Sequence, residues 1–224
     1  MSSPPKKKQN WEELINDGDN YGGEGQQFSP FEKAVFESIK DKKILKIQDS
    51  FVFMKTGHNA DTPDHPVELA RMLATFEPLK VITSIIITHN RFNAEALKIL
   101  VDSPLLSNID YLHLGSNELG DEGAKIVAGA PLFAKVHTLN LECNGIGPEG
   151  AKALANSSTL TEVTSLSMVD NKVGDEGALA IAQSDNLKNL TYLHLGGNRV
   201  KSEDAKQALR ESPKLTQLKT LKVF

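Results

Sequence analysis

Apolar residues recur along most of the chain in two superposed patterns. An asparagine stands at 90, 117, 144, 171 and 198, each 27 residues after the last. Five and three residues before it stand Ile85/Ile87, Leu112/Leu114, Leu139/Leu141, Leu166/Met168 and Leu193/Leu195. Two residues after it come Phe92, Leu119, Ile146, Val173 and Val200. Alternation with period two predicts a short strand with one buried face. Further on, Ala124/Val127/Ala128, Ala151/Leu154/Ala155 and Ala178/Ile181/Ala182 recur at i, i+3, i+4, which is one face of a helix. Gly120, Gly147 and Gly174 mark the turn between strand and helix, and Pro148 suits a first helical position, where its missing N–H costs nothing. Asp121 and Asp175 take the same place as Pro148. Glu95, Glu122, Glu149, Glu176 and Glu203 follow, where acidic side chains face the positive end of the helix dipole. Lys98, Lys125, Lys152, Leu179 and Lys206 predict a mostly solvated outer face, and Leu132, Leu160, Leu187 and Leu215 are expected to close the units.

One strand–turn–helix unit cannot bury its apolar strand face alone. Stacking five of them, with Leu221 and Val223 opening a final half-repeat, makes one continuous core. The expected fold is α/β: a curved solenoid with a parallel β-sheet on the concave side and α-helices on the convex side. At about 4.8 Å per strand, five intervals give an inner edge of roughly 24 Å.

The segments YLHLGSNELGDEGAKIV, TLNLECNGIGPEGAKAL, SLSMVDNKVGDEGALAI and YLHLGGNRVKSEDAKQAL carry the pattern LxLxxNxL followed by G-x-E-G-A and a full helix. This resembles the leucine-rich repeat family, and within it the ribonuclease-inhibitor-like subfamily. The likeness covers residues 81–224. It departs from the family pattern in the first unit, with Ile for Leu and no glycine after Phe92, and in the fifth, with Lys201-Ser202 for Gly-Asp and Asp204 for the glycine. The resemblance implies a rigid horseshoe that holds a protein partner. The single cysteine departs from the cysteine richness of ribonuclease inhibitors, so a ribonuclease partner is not implied.

The preceding 80 residues read differently. Residues 1–27, with Pro4-Pro5, Lys6-Lys7-Lys8, four glycines and few large apolar side chains, are expected to be a disordered tail, with a short helix near Trp11–Ile15. Residues 28–80 are expected to form an amino-terminal cap with an irregular first repeat. In it, a helix over 29–40 buries Phe31, Val35 and Ile39. Strands follow at Ile44–Ile47 and Phe51–Phe53, then a helix at Val67–Leu73.

The net charge of −4 makes a general nucleic-acid binder a poor fit. Cys143 alone excludes an intrachain disulfide framework and suits a reducing compartment, so a cytoplasmic monomer is expected. The basic amino terminus has no apolar run behind it and does not read as a signal peptide; no apolar stretch approaches the roughly 18 residues of a membrane span.

Strand positions pointing away from the core are free of packing and are the candidate partner-binding residues: Tyr111, His113, Thr138, Asn140, Glu142, Ser165, Ser167, Asp170, Tyr192 and His194. Tyrosine and histidine there are good interface anchors. The asparagine ladder (Asn90, Asn117, Asn144, Asn171 and Asn198) is read as structural, each buried amide satisfying backbone groups of its own and adjacent units. No metal site is expected: His113 and His194 stand three strands apart, about 14 Å. His58, Asp61, Asp64 and His65 read as a polar surface loop. No catalytic motif or cofactor signature occurs, and Cys143 has no base beside it. The function expected is a non-enzymatic protein-interaction scaffold. Because ribonuclease-inhibitor-like repeats also occur in effectors of intracellular bacteria, a host-cell role is compatible. The alternative is a regulator of a GTPase, resembling the Ran GTPase-activating proteins, with Arg91 and Arg199 as the rim arginines such a role needs.

Overall fold

A computed structural model describes residues 44–48 and 65–224. The tail, the 29–40 helix, the Phe51–Phe53 strand and the His58–Asp64 loop lie outside the described residues. Seven strands alternate with six helices: β1 Ile44–Gln48, α1 His65–Thr75, β2 Ser84–Thr88, α2 Ala94–Val101, β3 Tyr111–His113, α3 Gly120–Gly129, β4 Thr138–Asn140, α4 Pro148–Ala155, β5 Ser165–Ser167, α5 Gly174–Ala182, β6 Tyr192–His194, α6 Glu203–Arg210 and β7 Thr220–Lys222. Each strand pairs in parallel with the next, and the sheet runs in chain order from β1 to β7. Register follows the repeat: Leu112 pairs with Leu139, Leu139 with Leu166, and Leu166 with Leu193. Parallel pairing of successive strands requires a crossover between them, and the helices supply it.

The core lies between sheet and helices. The strand residues at minus five and minus three, the residue two after each asparagine, and the helix stripes are all buried. Val67–Leu73 falls inside α1, and Leu45 and Ile47 are buried in β1, so the sheet begins one strand before the regular repeats. One closing residue differs from the expectation. Leu132 is only partly buried, and Phe133, one residue on and seated by a 3₁₀ turn over Pro131–Phe133, fills the place that Leu160 and Leu187 hold in later units.

The asparagine side chains tie neighbouring units together. Asn171 donates to the carbonyls of Leu141 (2.9 Å), Met168 (2.9 Å) and Val169 (3.2 Å), and accepts from the N–H of Asn144 (3.0 Å) and Ile146 (2.9 Å). A second ladder runs along the opposite edge. Ser103, Ser157, Ser184 and Ser212 donate to Ala74, Ala128, Ala155 and Ala182, carbonyls at the end of the preceding helix, and accept from backbone N–H groups that follow them. Each serine thus supplies a donor to a helix end that has run out of its own.

The turns into the helices are of two kinds, and they alternate. In units two and four the left-handed residue is a glycine three after the asparagine, Gly120 (φ 58°) and Gly174 (φ 62°). In units one, three and five it comes one residue after the asparagine, at Arg91, Gly145 and Arg199. The aspartates differ from expectation accordingly. Asp121 lies in the first turn of α3, yet its Oδ1 accepts from the N–H of Gly147 (2.7 Å) and Gly150 (2.8 Å) at the start of α4. Asp175 does the same for Lys201 (2.7 Å) and Ser202 (3.0 Å) ahead of α6. Asp121 therefore caps the helix of the odd unit that follows, while Asp175 fixes the two residues ahead of α6, whose cap is the Ser202 side chain accepting from Ala205 N–H. Asp121→Ala is expected to cost about 1–2 kcal/mol, the usual value of a lost amino-terminal cap. Asp121→Asn, which keeps an acceptor, is expected to cost less, and urea denaturation measures both.

Candidate functional site

The sheet face opposite the core is where side chains are not consumed by packing. Parallel register arranges them in rows across the strands. Tyr111, Thr138, Ser165 and Tyr192 form one row; His113, Asn140, Ser167 and His194 form the next. All eight are part-exposed, while the leucine between each pair is buried, so one strand serves core and surface by simple alternation. Ser84 and Ile86 extend the rows on one side, and Thr220 and Lys222 on the other.

Beyond the rows, each chain bends at the residue before the asparagine. His89, Ser116, Cys143 and Asp170 all adopt left-handed backbone, with φ between 50° and 57°. These residues cost more there than a glycine does. The neighbouring backbone imposes the conformation: Ser116 N–H donates to Glu142 O (2.8 Å), Cys143 N–H to Val169 O (2.9 Å) and Asp170 N–H to Gly196 O (2.9 Å).

Two clusters stand out on this face. In the first, His113 Nδ1 accepts from Gly115 N–H (3.1 Å), so the neutral ring carries its proton on Nε2. That nitrogen faces Glu142 Oε1 at 3.9 Å, and Asn140 Nδ2 donates to Glu142 Oε2 (3.3 Å). Burial lowers the pKa of His113, opposed by Glu142 and assisted by His89. A depressed histidine pKa means that His113 favours the fold while neutral and that this contribution is lost as pH falls through its folded pKa. In the second cluster, Tyr192 and His194 meet edge-on with ring centres 6.2 Å apart, Phe224 stacks obliquely on His194 at 6.0 Å, and Lys222 Nζ lies 5.7 Å from the Tyr192 ring centre. Burial, then the nearby Lys222 ammonium, lowers the pKa of His194.

The two carboxylates of the face diverge. Glu142 folds over Gly115, where a Cβ would stand 2.7 Å from its Cγ. Asp170 leans the other way, over Gly197. Partial burial and then these same carboxylates raise the pKa of Cys143, which keeps it a thiol and a poor nucleophile.

The structure brings all ten predicted face residues onto one surface and separates the others. The asparagine ladder is buried. Arg91 is exposed and paired with Glu118 (3.1 Å), and Arg199 stands four repeats away at the other end of the array. Among the described residues no group of three or more His, Cys, Asp or Glu side chains could hold a metal ion, and no helix is long and apolar enough to cross a membrane. Phe224, Gly115 and Gly197 were not singled out by pattern. The only sequence signal for the glycines was their departure from the residue types at the same place in other units.

A family model described as Leucine Rich repeat matches residues 106–128, 134–155, 158–182 and 186–206. No curated protein matches the sequence. Among solved structures, the chain is similar to an internalin from Listeria monocytogenes at 20% identity and a TM-score of 0.46; the likeness covers 67% of this chain and 37% of the internalin. The chain thus spans well under half the length of that protein. The four segments match leucine-rich repeats, and the open seven-stranded parallel sheet alternating with helices fits a curved leucine-rich-repeat solenoid.

Proposed function

We propose that the protein is a non-enzymatic interaction scaffold that holds one protein partner on its concave sheet. The observation that carries this reading is the register itself. Two strands, β3 and β6, set Tyr111, His113, Tyr192 and His194 at matching positions on a face that packing leaves open. Aromatic and imidazole side chains supply large contact area with few rotors to order. A solenoid braced by two hydrogen-bonded ladders pays little ordering entropy on binding.

A 27-residue unit with a full convex helix supports the ribonuclease-inhibitor-like kind of repeat. The same array suits a cytosolic monomer, including an effector placed in a host cell by an intracellular bacterium. The GTPase-regulator reading rests on Arg91 and Arg199 alone, and Glu118 engages the first of them.

Affinity capture from a eukaryotic lysate tests the proposal. The wild type is expected to retain a partner that the Tyr111→Ala/His113→Ala/Tyr192→Ala/His194→Ala variant loses at unchanged fold by circular dichroism. Capture of the same partner by both proteins would move the site off the concave face.

A further inference from the structure

The concave face has a shape as well as a composition. Between β3 and β6, Tyr111 and His113 on β3 and Tyr192 and His194 on β6 are the large side chains of their rows; Ile86 and Lys222 continue one row outside this pair of strands. The strands between them, β4 and β5, carry only Thr, Asn and Ser on this side. The result is a trough running along the strands, with a small polar floor and a Tyr/His wall on each side. Three strand spacings set the walls about 14 Å apart between strand axes. The carboxylates mark one end of it, past the carboxyl ends of β4 and β5. Glu142 lies at the foot of the β3 wall over Gly115, and Asp170 at the foot of the β6 wall over Gly197. No lysine or arginine of this chain is bonded to either one among the described residues; the nearest partners of Glu142 are Asn140 and His113, and Asp170 is exposed.

We infer that this trough takes one α-helix of a protein partner, laid along the strands and carrying lysine or arginine against Glu142 and Asp170. The inference rests on the concave-face reading and adds the chemistry of the occupant. Width favours the helix: with side chains it is about 10–12 Å across. An extended strand, about 4.8 Å wide in its hydrogen-bonding direction, leaves one wall untouched. Charge favours a basic partner, because two carboxylates stand at one end of the trough, its floor carries no charge, and the nearest lysine, Lys222, sits outside it on β7 against the Tyr192 ring.

Three 20-residue synthetic peptides test it on the full chain: repeats of Ala-Ala-Lys-Ala-Ala, repeats of Ala-Ala-Glu-Ala-Ala, and the lysine peptide broken by two central prolines. Amide shift changes are followed by nuclear magnetic resonance at low salt. The lysine helix is expected to shift β4 and β5 amides, and Glu142→Gln/Asp170→Asn to weaken it about fivefold, the scale of two exposed ion pairs. Equal binding of the glutamate helix removes the basic partner. Equal binding of the proline peptide removes the helix. Shifts confined elsewhere, or no shifts, overturn the inference as a whole. Its failure is distinguishable from failure of the scaffold reading: a lysate partner that survives Glu142→Gln/Asp170→Asn but not the Tyr/His variant keeps the concave site and discards the basic helix.

Discussion

Asn171→Ala is expected to lower stability by about 3–4 kcal/mol in urea denaturation, without change in the slope. The side chain is buried and makes five hydrogen bonds to the backbone of two units. Alanine leaves the N–H groups of Asn144 and Ile146 without a partner, whereas the carbonyls of Leu141, Met168 and Val169 each lose one donor and keep another, from Asn144, Asn198 and Cys143. A buried unsatisfied group costs about 1–3 kcal/mol, and shared relaxation keeps the total below the plain sum. Asn198→Ala, at the last rung, is expected to cost less. Its carbonyl accepts only from Val173 N–H (3.3 Å), and its amide donates to Met168 (2.6 Å) and Gly196 (3.2 Å). A centre-to-end gradient would show that the ladder stabilises by joining units; equal costs would show that each asparagine acts only within its own turn.

Gly177→Val is expected to cost about 2–3 kcal/mol, read as a fall in thermal midpoint. A Cβ at Gly177 would lie 2.7 Å from Val173 Cγ1 and 2.8 Å from Ala151 Cβ of the preceding helix. Gly150 meets Ala124 in the same way at 2.9 Å. The neighbour is an alanine methyl attached directly to backbone, so α4 and α5 themselves must part, and overpacking of this kind costs about 1–3 kcal/mol. The fifth unit shows the relaxed outcome naturally. Asp204 stands where the glycine would be, and a groove of about 420 Å³, lined by Ala182, Gln183, Asp204 and Gln207 among others, opens between α5 and α6. Gly177→Ala, without the branch, is expected to fall between wild type and valine.

What was legible in the sequence followed from repetition and burial. Leu139, Leu166 and Leu193 recur at one spacing because they occupy one place in the core, and Ala151 and Ala178 because a helix passes close there. The concave face was legible for the converse reason. Tyr111, Thr138, Ser165 and Tyr192 vary at a fixed position, as packing does not select them. The rest depended on contacts across units, which leave faint traces in the chain. Asp121 and Asp175 look like acids serving their own helices, yet both bond backbone of the next unit, Asp121 at the first turn of α4 and Asp175 just ahead of α6. Ser157 and Ser184 sit among other small polar residues and read as loop until their hydroxyls are seen on Ala128 and Ala155. Left-handed backbone at Ser116 and Cys143 has no mark in those residues themselves; the trace lies in Asp170 and Gly197 at the same place in later units, types that enter it more readily. The divergence of Glu142 and Asp170 belongs to the same class, being set by glycines 27 residues away in adjacent units.

The alternation of the two turns gives the array a parity. Asp121 needs an odd-type turn beside it, and Gly120 is matched to a neighbour whose left-handed residue comes earlier. The translational period of the solenoid is therefore two repeats, or 54 residues, although the asparagines count 27. Lengthening or shortening the array by duplication is constrained accordingly. A pair added or removed together preserves every junction. A single repeat excised from the middle places like turns side by side: removing unit three strands Asp121, and removing unit two or four takes away the aspartate that the next unit's backbone uses.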